Sequence, residues 1–214
     1  MGNICSLCHS GETSLYYEGE SREYFLCSAC HVVFVPETFF HSDLIEKEMY
    51  DKHQNSIDDV VYQKYLKRLM DPVVDRIGSG AKGLDFGCGP GPALSLLFEK
   101  RGFEMDIYDM FYAPNSEVFQ NKYDFITASE VVEHFHDPKM ELDRLFNLLN
   151  VGGVLAIKTQ MLPSVDDFPQ WYYKRDTTHV CLFSQKSFEF LAVRWGAKLE
   201  FVDTDIIIFT KLLR

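Results

Sequence analysis

The stretch LDFGCGPG, Leu84 to Gly91, joins a short apolar run to a turn with glycine at every second position. Gly83 to Phe86 read as a buried strand. Gly87, Gly89 and Gly91 sit where a chain turns through positive φ and where backbone must touch a ligand with no Cβ in between. The following ALSLLFEKRG predicts a helix that turns Leu94, Leu97 and Phe98 inward. Strand, glycine turn and helix together open an α/β fold that binds its ligand at the turn. A dinucleotide fingerprint is a rival reading, but its third glycine falls one residue later, where this chain has Pro92.

Downstream, FEMDIYDMF predicts a second strand ending at Asp109, where a carboxylate can read the vicinal diol of a ribose. YDFITASEV reads as a strand, and PKMELDRLFNLLNVGG as a helix with Leu142, Leu145, Phe146 and Leu149 inward, closed by Gly152-Gly153. GVLAIKTQ is the next strand, FSQKSFEFLAVRWGA a helix, and KLEFVDTDIIIFTKL two strands turning near Asp203. With these neighbours, LDFGCGPG resembles the first motif of class I S-adenosylmethionine-dependent methyltransferases. The family has an acid at the place of Asp85, the GxGxG spacing of Gly87, Gly89 and Gly91, and a ribose-binding acid at the place of Asp109. The resemblance covers residues 80 to 214. It implies a Rossmann-like α/β sheet with a reversed terminal strand, S-adenosylmethionine as cofactor, and Asp85, Gly87, Gly89, Gly91, Asp109 and Glu130 as the residues that hold it. The chain departs from the family once: only the 14 residues from 110 to 123 separate Asp109 from Asp124. That is too short for a helix, a third strand and its acidic loop, so the third strand is vestigial or absent. Phe111, Tyr112 and Asn115 are adenine-binding candidates by position alone, and a plain surface loop is the alternative.

SEVVEHFHDP, Ser129 to Pro138, gathers ionisable groups where the strand YDFITAS ends. Glu130 faces the cleft, Glu133 and His134 follow within one turn, and Asp137-Pro138 caps the next helix. The pattern Glu130-x-x-Glu133-His134 resembles the metal-binding signature of certain small-RNA 2′-O-methyltransferases and of ubiquinone-pathway O-methyltransferases, in which a divalent ion draws the acceptor hydroxyl toward deprotonation. His179 in RDTTHV falls where a histidine would complete the set, so Glu130, Glu133, His134 and His179 form both the catalytic candidates and a second metal site. Two carboxylates and two imidazoles suit Mn²⁺, Fe²⁺ or Zn²⁺ better than Mg²⁺. Two other readings stand beside it: His134 as a metal-free general base oriented by Glu133, and acids that merely complement a helix N-terminus while His134 packs on the core.

Four of the six cysteines fall as Cys5-x2-Cys8 and Cys27-x2-Cys30, with 18 residues between the pairs. This is zinc-ribbon spacing, two turns each offering two thiolates to one tetrahedral ion. A pair of disulfides is the alternative, disfavoured by a reducing compartment and by the two-residue gap. The intervening SLYYEGESREYFLC predicts an aromatic hairpin turning at Glu18-Gly19-Glu20. A module of this size has too little core to fold alone, so its zinc is structural. Cys88 and Cys181 stand apart and read as packing residues. The expected organisation is a ribbon at 1–36, a helical cap at 37–79 and the methyltransferase domain at 80–214. A ribbon before such a domain also resembles deoxysugar C-methyltransferases, which carry a further C-terminal domain beyond the length of this chain.

The cap contains VYQKYLKRLMDPVVDRIGSG, with Tyr62, Tyr65, Leu66, Leu69, Val73 and Ile77 at helical spacing, a kink or restart expected at Asp71-Pro72, and Lys64, Lys67 and Arg68 on a solvated face. Tyr50 and His53, just before it, are candidates to close over the cofactor. The long segment QMLPSVDDFPQWYYKRDTTHVCLFS reads as a substrate wall, or as a loop plugged onto the core by Trp171, Tyr172 and Tyr173. A hydrophobic content of 46% in 214 residues supports a full core, and a net charge of −11 argues against nucleic-acid binding, which needs clustered Lys and Arg. No run of about 18 apolar residues is present to span a membrane, and MGNICSLCHS lacks the flank of a signal peptide. The sequence therefore predicts a cytoplasmic enzyme transferring methyl to a small molecule. The competing class is a ribbon that docks on protein or RNA with the larger domain retained as scaffold, and absent cofactor binding would select it.

Overall fold

The computed structural model describes residues 3–52 and 57–213; His53 lies outside the described residues. The chain begins with two matching turns. Cys5-Ser-Leu-Cys8-His9 and Cys27-Ser-Ala-Cys30-His31 each close with a backbone N–H on the first cysteine's carbonyl, His9 to Cys5 and His31 to Cys27, both at 2.9 Å. Both histidines adopt left-handed φ, 60° and 58°. Between the turns run β1 (Thr13–Glu18) and β2 (Glu23–Cys27), paired antiparallel, and after them the two-residue β3 (Val33–Phe34) pairs with β2.

Two helices follow, α1 (Asp43–Tyr50) and α2 (Val60–Val74). Asp59 caps α2 by accepting the N–H groups of Val61 and Tyr62. Pro72 lies within the last turn of α2 and does not restart it, and the helix ends before the expected glycines. Arg68 is not simply solvated: it reaches Asp203 and Asp205 at 2.7 and 2.6 Å.

The main sheet is built from β4 (Lys82–Phe86), β5 (Glu104–Tyr108), β6 (Tyr123–Ser129), β7 (Leu149–Lys158), β9 (Ala197–Asp203) and β10 (Ile206–Lys211), with α3 (Ala93–Glu99), α4 (Pro138–Leu148) and α5 (Gln185–Trp195) between them and the short β8 (Cys181–Leu182) outside it. Its order is β5-β4-β6-β7-β10-β9. The first four strands are parallel, and β10 runs antiparallel to both its neighbours. Alternation along β6 sorts the core: Phe125 joins Leu66, Leu69, Leu94 and Phe98 of α2 and α3, whereas Ile126 and Ala128 join Leu142, Leu145, Phe188 and Leu191 of α4 and α5.

Among the described residues no strand lies beyond β5. The short return to β6 is a 3₁₀ turn at Ser116–Gln120, pinned where the Tyr123 hydroxyl bonds Asp106 (2.7 Å) and the Val118 carbonyl (2.9 Å). Asp137 caps α4 by accepting the Met140 N–H. That helix stops at Leu148 and passes straight into β7, so Gly152 and Gly153 lie inside the strand and do not close the helix.

The cysteine module and the main sheet share one core. Cys5, Leu7, Cys27, Cys30 and Phe34 pack in the apolar cluster that also holds Phe183 and Phe188. β3 also pairs antiparallel with β8, and Val35 N–H bonds the Val180 carbonyl at 2.9 Å.

Candidate active site

The carboxyl ends of the parallel strands open onto a cavity of about 800 Å³. One end is the glycine turn. Gly87 (φ 74°) donates its N–H to the Tyr108 carbonyl at 2.7 Å, and a Cβ there would run into Val131. Gly89 (φ 64°) has open space above it and donates its N–H to Asp109 at 3.0 Å. Asp109 also accepts from Phe111 N–H (2.9 Å) and Tyr112 N–H (3.1 Å). A carboxylate has about four acceptor positions, so Asp109 shapes the rim with three and keeps one. Beneath the turn, buried Asp85 accepts from the Thr127 hydroxyl at 2.8 Å, and burial pushes its carboxyl up to about 7. Gly91, Phe111 and Tyr112 line the cavity; Asn115 caps the 3₁₀ turn through Glu117 N–H.

At the other end, β6 terminates in Glu130, a non-glycine residue at φ 55° whose N–H bonds the Lys158 carbonyl. Such strain at a strand end persists where surrounding contacts hold it. One carboxylate oxygen accepts from Lys158 Nζ and the Tyr65 hydroxyl, both at 2.7 Å, and the other from the Tyr173 hydroxyl at 3.0 Å. Lys158 is fully buried and also bonds Asp205 at 2.8 Å. Burial alone would push its ammonium down, but Glu130 and Asp205 hold it up.

The four-residue metal set expected from the sequence is therefore corrected. Glu133, His134 and His179 each offer a ligand atom within 4.8 Å of the others, and Glu130 is not among them. Its carboxylate is committed to Lys158 because the ends of β6 and β7 are adjacent in the sheet. Glu133 is wholly buried and held by the Thr159 hydroxyl (3.0 Å) and the Tyr173 hydroxyl. Burial, and then the charge of Glu130, pushes it up to about 8. The Thr178 hydroxyl donates to Asp176 at 2.6 Å, so its oxygen accepts from His134 Nδ1–H at 2.9 Å, with the Tyr50 hydroxyl at 3.2 Å from the same nitrogen. His179 Nδ1–H donates to the Tyr173 carbonyl at 2.8 Å. In the neutral rings both Nε2 atoms then carry the lone pair, an assignment made from the hydrogen-bond network. His134 Nε2 lies 4.0 Å from the Glu133 carboxylate, and the two rings meet edge-on at 4.6 Å. Burial, and then His179, holds the His134 imidazole down to about 3.

The N-terminal cysteines form the second group of this kind, all four sulfurs within 4.8 Å, Cys5–Cys30 and Cys8–Cys27 at 3.5 Å. None is disulfide-bonded. Sulfurs about 2.3 Å from one tetrahedral ion stand roughly 3.8 Å apart, a spacing the four sulfurs bracket, so the residues present fit a zinc ion. A hydrogen bond from Cys30 holds the Cys5 thiol down, whereas burial pushes the Cys8 thiol up. Cys181 is buried beside this group, and Cys88 sits in the glycine turn at the cavity.

In the expected substrate wall, Tyr172, Tyr173 and Asp176 line the cavity; Trp171, Lys174 and Arg175 do not. Tyr50 lines it from α1. Sequence reasoning missed the groups that orient the cluster. Asp176 and Thr178 were legible as the Asp-x-Thr-His run of RDTTHV, whereas Thr159 and Lys158 carry no local signal.

The fold and site together define an S-adenosylmethionine-dependent methyltransferase architecture: a parallel sheet with one reversed strand, and a glycine turn facing an acidic strand end. The chain belongs to the methyltransferase-domain family, whose model matches residues 62–200. It is 27% identical over 84 residues to a ubiquinone biosynthesis O-methyltransferase of Erwinia tasmaniensis, a match spanning 39% of this chain and 35% of that protein. It resembles the SAH-bound structure of a methyltransferase in calicheamicin biosynthesis, CalO1, with TM-score 0.54 and 12% identity, covering 78% of this chain and 58% of that one. A protein of Pyrococcus horikoshii OT3 aligns with 77% of this chain and 98% of its own, at TM-score 0.49 and 15% identity. Among the described residues no helix is long and apolar enough to cross a membrane.

Proposed function

We propose that the chain transfers a methyl group from S-adenosylmethionine to a hydroxyl of a small acceptor carrying no phosphate, with Glu133, His134 and His179 holding a divalent ion at the acceptor end. The observation that carries this reading is convergence: the glycine turn with Asp109 and the Glu133–His134–His179 cluster line the same cavity. Nine acidic side chains line it and, among the described residues, no lysine or arginine does. That field favours a sulfonium cofactor and disfavours an acceptor that carries phosphate. The O-methyltransferase named among the relatives supports a hydroxyl as acceptor.

Gly87, Gly89 and Gly91 let the backbone approach the cofactor, and Asp109 has one acceptor position left for its ribose. Asp85 backs the turn, Phe111 and Tyr112 flank the adenine side, and Glu130 with Lys158 fixes the cavity wall between the two ends. The cofactor supplies an electrophilic methyl, for which alignment with the nucleophile contributes much of the rate. Glu133, His134 and His179 fit a divalent ion: a buried carboxyl that, among the described residues, no lysine or arginine reaches faces two imidazoles whose Nδ1–H groups are fixed by oxygen acceptors, as ligating histidines require. One carboxylate and two imidazoles suit Mn²⁺, Fe²⁺ or Zn²⁺, which would draw an acceptor hydroxyl toward deprotonation. A metal-free base is the weaker reading, because an imidazole held near 3 accepts a proton poorly at neutral pH.

Calorimetry with S-adenosylhomocysteine tests the cofactor end. The native protein should bind it. Gly89→Val should abolish binding while the domain stays folded, since the side chain would fill the open space above residue 89, and Asp109→Ala should weaken it by about 1 to 3 kcal/mol. Absence of binding to the native protein would select the docking-module reading instead.

A further inference from the structure

Arg22 is 5% exposed and lies in the hairpin of the cysteine module, yet every group its guanidinium hydrogen-bonds, apart from its own neighbour Tyr24, lies in segment 174–177. Its Nη1 donates to the Thr177 carbonyl and its Nη2 to the carbonyls of Lys174 and Asp176, each at 2.8 Å. Its Nε donates to the Tyr24 hydroxyl at 2.7 Å, which in turn reaches the Lys174 carbonyl at 3.2 Å. Among the described residues no carboxylate forms an ion pair with it. Burying a guanidinium without a counter-ion is costly unless oxygens meet its donors, and here four do.

The clamped segment is the one that aims the cavity cluster. Residue 176 holds Thr178, Thr178 holds His134 Nδ1, and the Tyr173 carbonyl holds His179 Nδ1. Beyond His179, Val180 N–H bonds the Glu133 carbonyl at 2.9 Å, and β8 pairs with β3. The segment is thus gripped by the cysteine module on one side and by the end of β6 on the other. The Thr177 carbonyl depends most on the clamp, since Lys174 keeps Tyr24 and the Asp176 carbonyl keeps the His179 N–H when Arg22 is removed.

We propose that Arg22 is a positioning residue for the cavity: its guanidinium fixes segment 174–178 and so the aim of both imidazoles, which makes the cysteine module a working part of the active site. The proposal rests on the reading of His134 and His179 as site residues, and it is tested without an acceptor. In metal-free-cavity protein with the cysteine site loaded, long-range ¹H–¹⁵N spectra of the imidazoles report whether Nδ1 carries a protected proton on each ring. Arg22→Met should speed exchange of those protons by about tenfold or more, and should weaken Mn²⁺ binding by about 10- to 100-fold, as loss of groups that orient metal ligands does. S-adenosylhomocysteine affinity should stay within twofold and the cysteine site should keep one zinc. Arg22→Lys should rescue only in part, because one ammonium cannot reproduce a fork across three carbonyls. If Arg22→Met does not fold, Tyr24→Phe, which removes one strut and keeps the guanidinium, should give the same change at smaller size.

Unchanged imidazole exchange in whichever variant folds would overturn the proposal, as would full rescue by lysine. Loss of the zinc alongside would also overturn it, since Arg22 would then only hold the module together. If Mn²⁺ binds neither native protein nor variant, the metal reading fails and the imidazole spectra still decide the role of Arg22.

Discussion

The four N-terminal cysteines, Cys5, Cys8, Cys27 and Cys30, form a knot of thiols; this knot and the Glu133–His134–His179 cluster each gather metal-ligating atoms within 4.8 Å, and they are built in opposite ways. In the knot, each pair of sulfurs comes from one five-residue turn, three of the four cysteines are buried and Cys8 is half-buried, and none lines the cavity. In the cluster, two ligands come from the turn after β6 and the third from a loop beyond β7, the ligand count among the described residues stops at three, and the group lines a cavity. Structural zinc sites are closed at four ligands, whereas catalytic sites keep a position open. On the proposed reading, the knot would hold the fold and the cluster would do chemistry.

The largest effect should therefore come from the knot. Structural zinc in small modules binds with apparent free energies of about 10 to 16 kcal/mol, much of which is folding free energy. Cys30→Ser should lose the zinc, and hydrogen exchange should show residues 3–35 opening together with Cys181 and Leu182, because β3 and β8 share a ladder. Retained zinc, or protection unchanged in both segments, would break the comparison.

The same contrast explains what could be read from the chain. LDFGCGPG, the paired Cys-x-x-Cys turns and SEVVEHFHDP are local patterns in which spacing alone brings the groups together. The missing third strand was legible too, as a count of residues between Asp109 and Asp124. The membership of Glu130 was misread because its partner, Lys158, is adjacent only through sheet pairing. Arg22 was invisible, since a charged residue beside Glu18-Gly19-Glu20 reads as a solvated turn until the loop 174–177 is folded against it. Gly152-Gly153 misled as a helix stop because the strand begins before the glycines do.

Next in size is the cluster itself. Glu133→Gln and His179→Ala should each lower Mn²⁺ binding and slow methyl transfer by about 10²- to 10⁴-fold, with S-adenosylhomocysteine affinity within twofold. Neither should release the zinc of the knot, whose sulfurs none of these side chains touches. Full transfer rates in both variants, measured with an acceptor found by radiolabel transfer in a metabolite extract, would leave the cluster as a packing feature, and the contrast would reduce to one metal site.

The smallest effect concerns what the cavity costs the fold. The knot would contribute stability by what it binds, whereas Asp85, under the glycine turn, is a buried carboxyl pushed up to about 7 by desolvation, against a usual value of 3.8. Because the folded value lies above the unfolded one, between about pH 4 and pH 7 the native state keeps a proton that the unfolded chain has released. Stability then falls as pH rises through that window, and the loss is complete above it. Asp85→Asn still accepts from the Thr127 hydroxyl through its amide oxygen and removes the titration. The difference in unfolding free energy between native and variant protein should therefore tilt toward the variant with rising pH, by about 4 kcal/mol over the whole window and about 3 kcal/mol between pH 5 and pH 8, at the ordinary scale of 1.36 kcal/mol per pK unit. Taking the difference removes the opposing contributions of Glu133, which is also held up, and His134, which is held down, because both proteins contain them. Denaturant unfolding at pH 5, 6, 7 and 8 measures it. A difference that does not change with pH would mean that Asp85 is ionised in the folded protein, and the floor of the cavity would then stabilise the fold as the knot does, with no burden of its own.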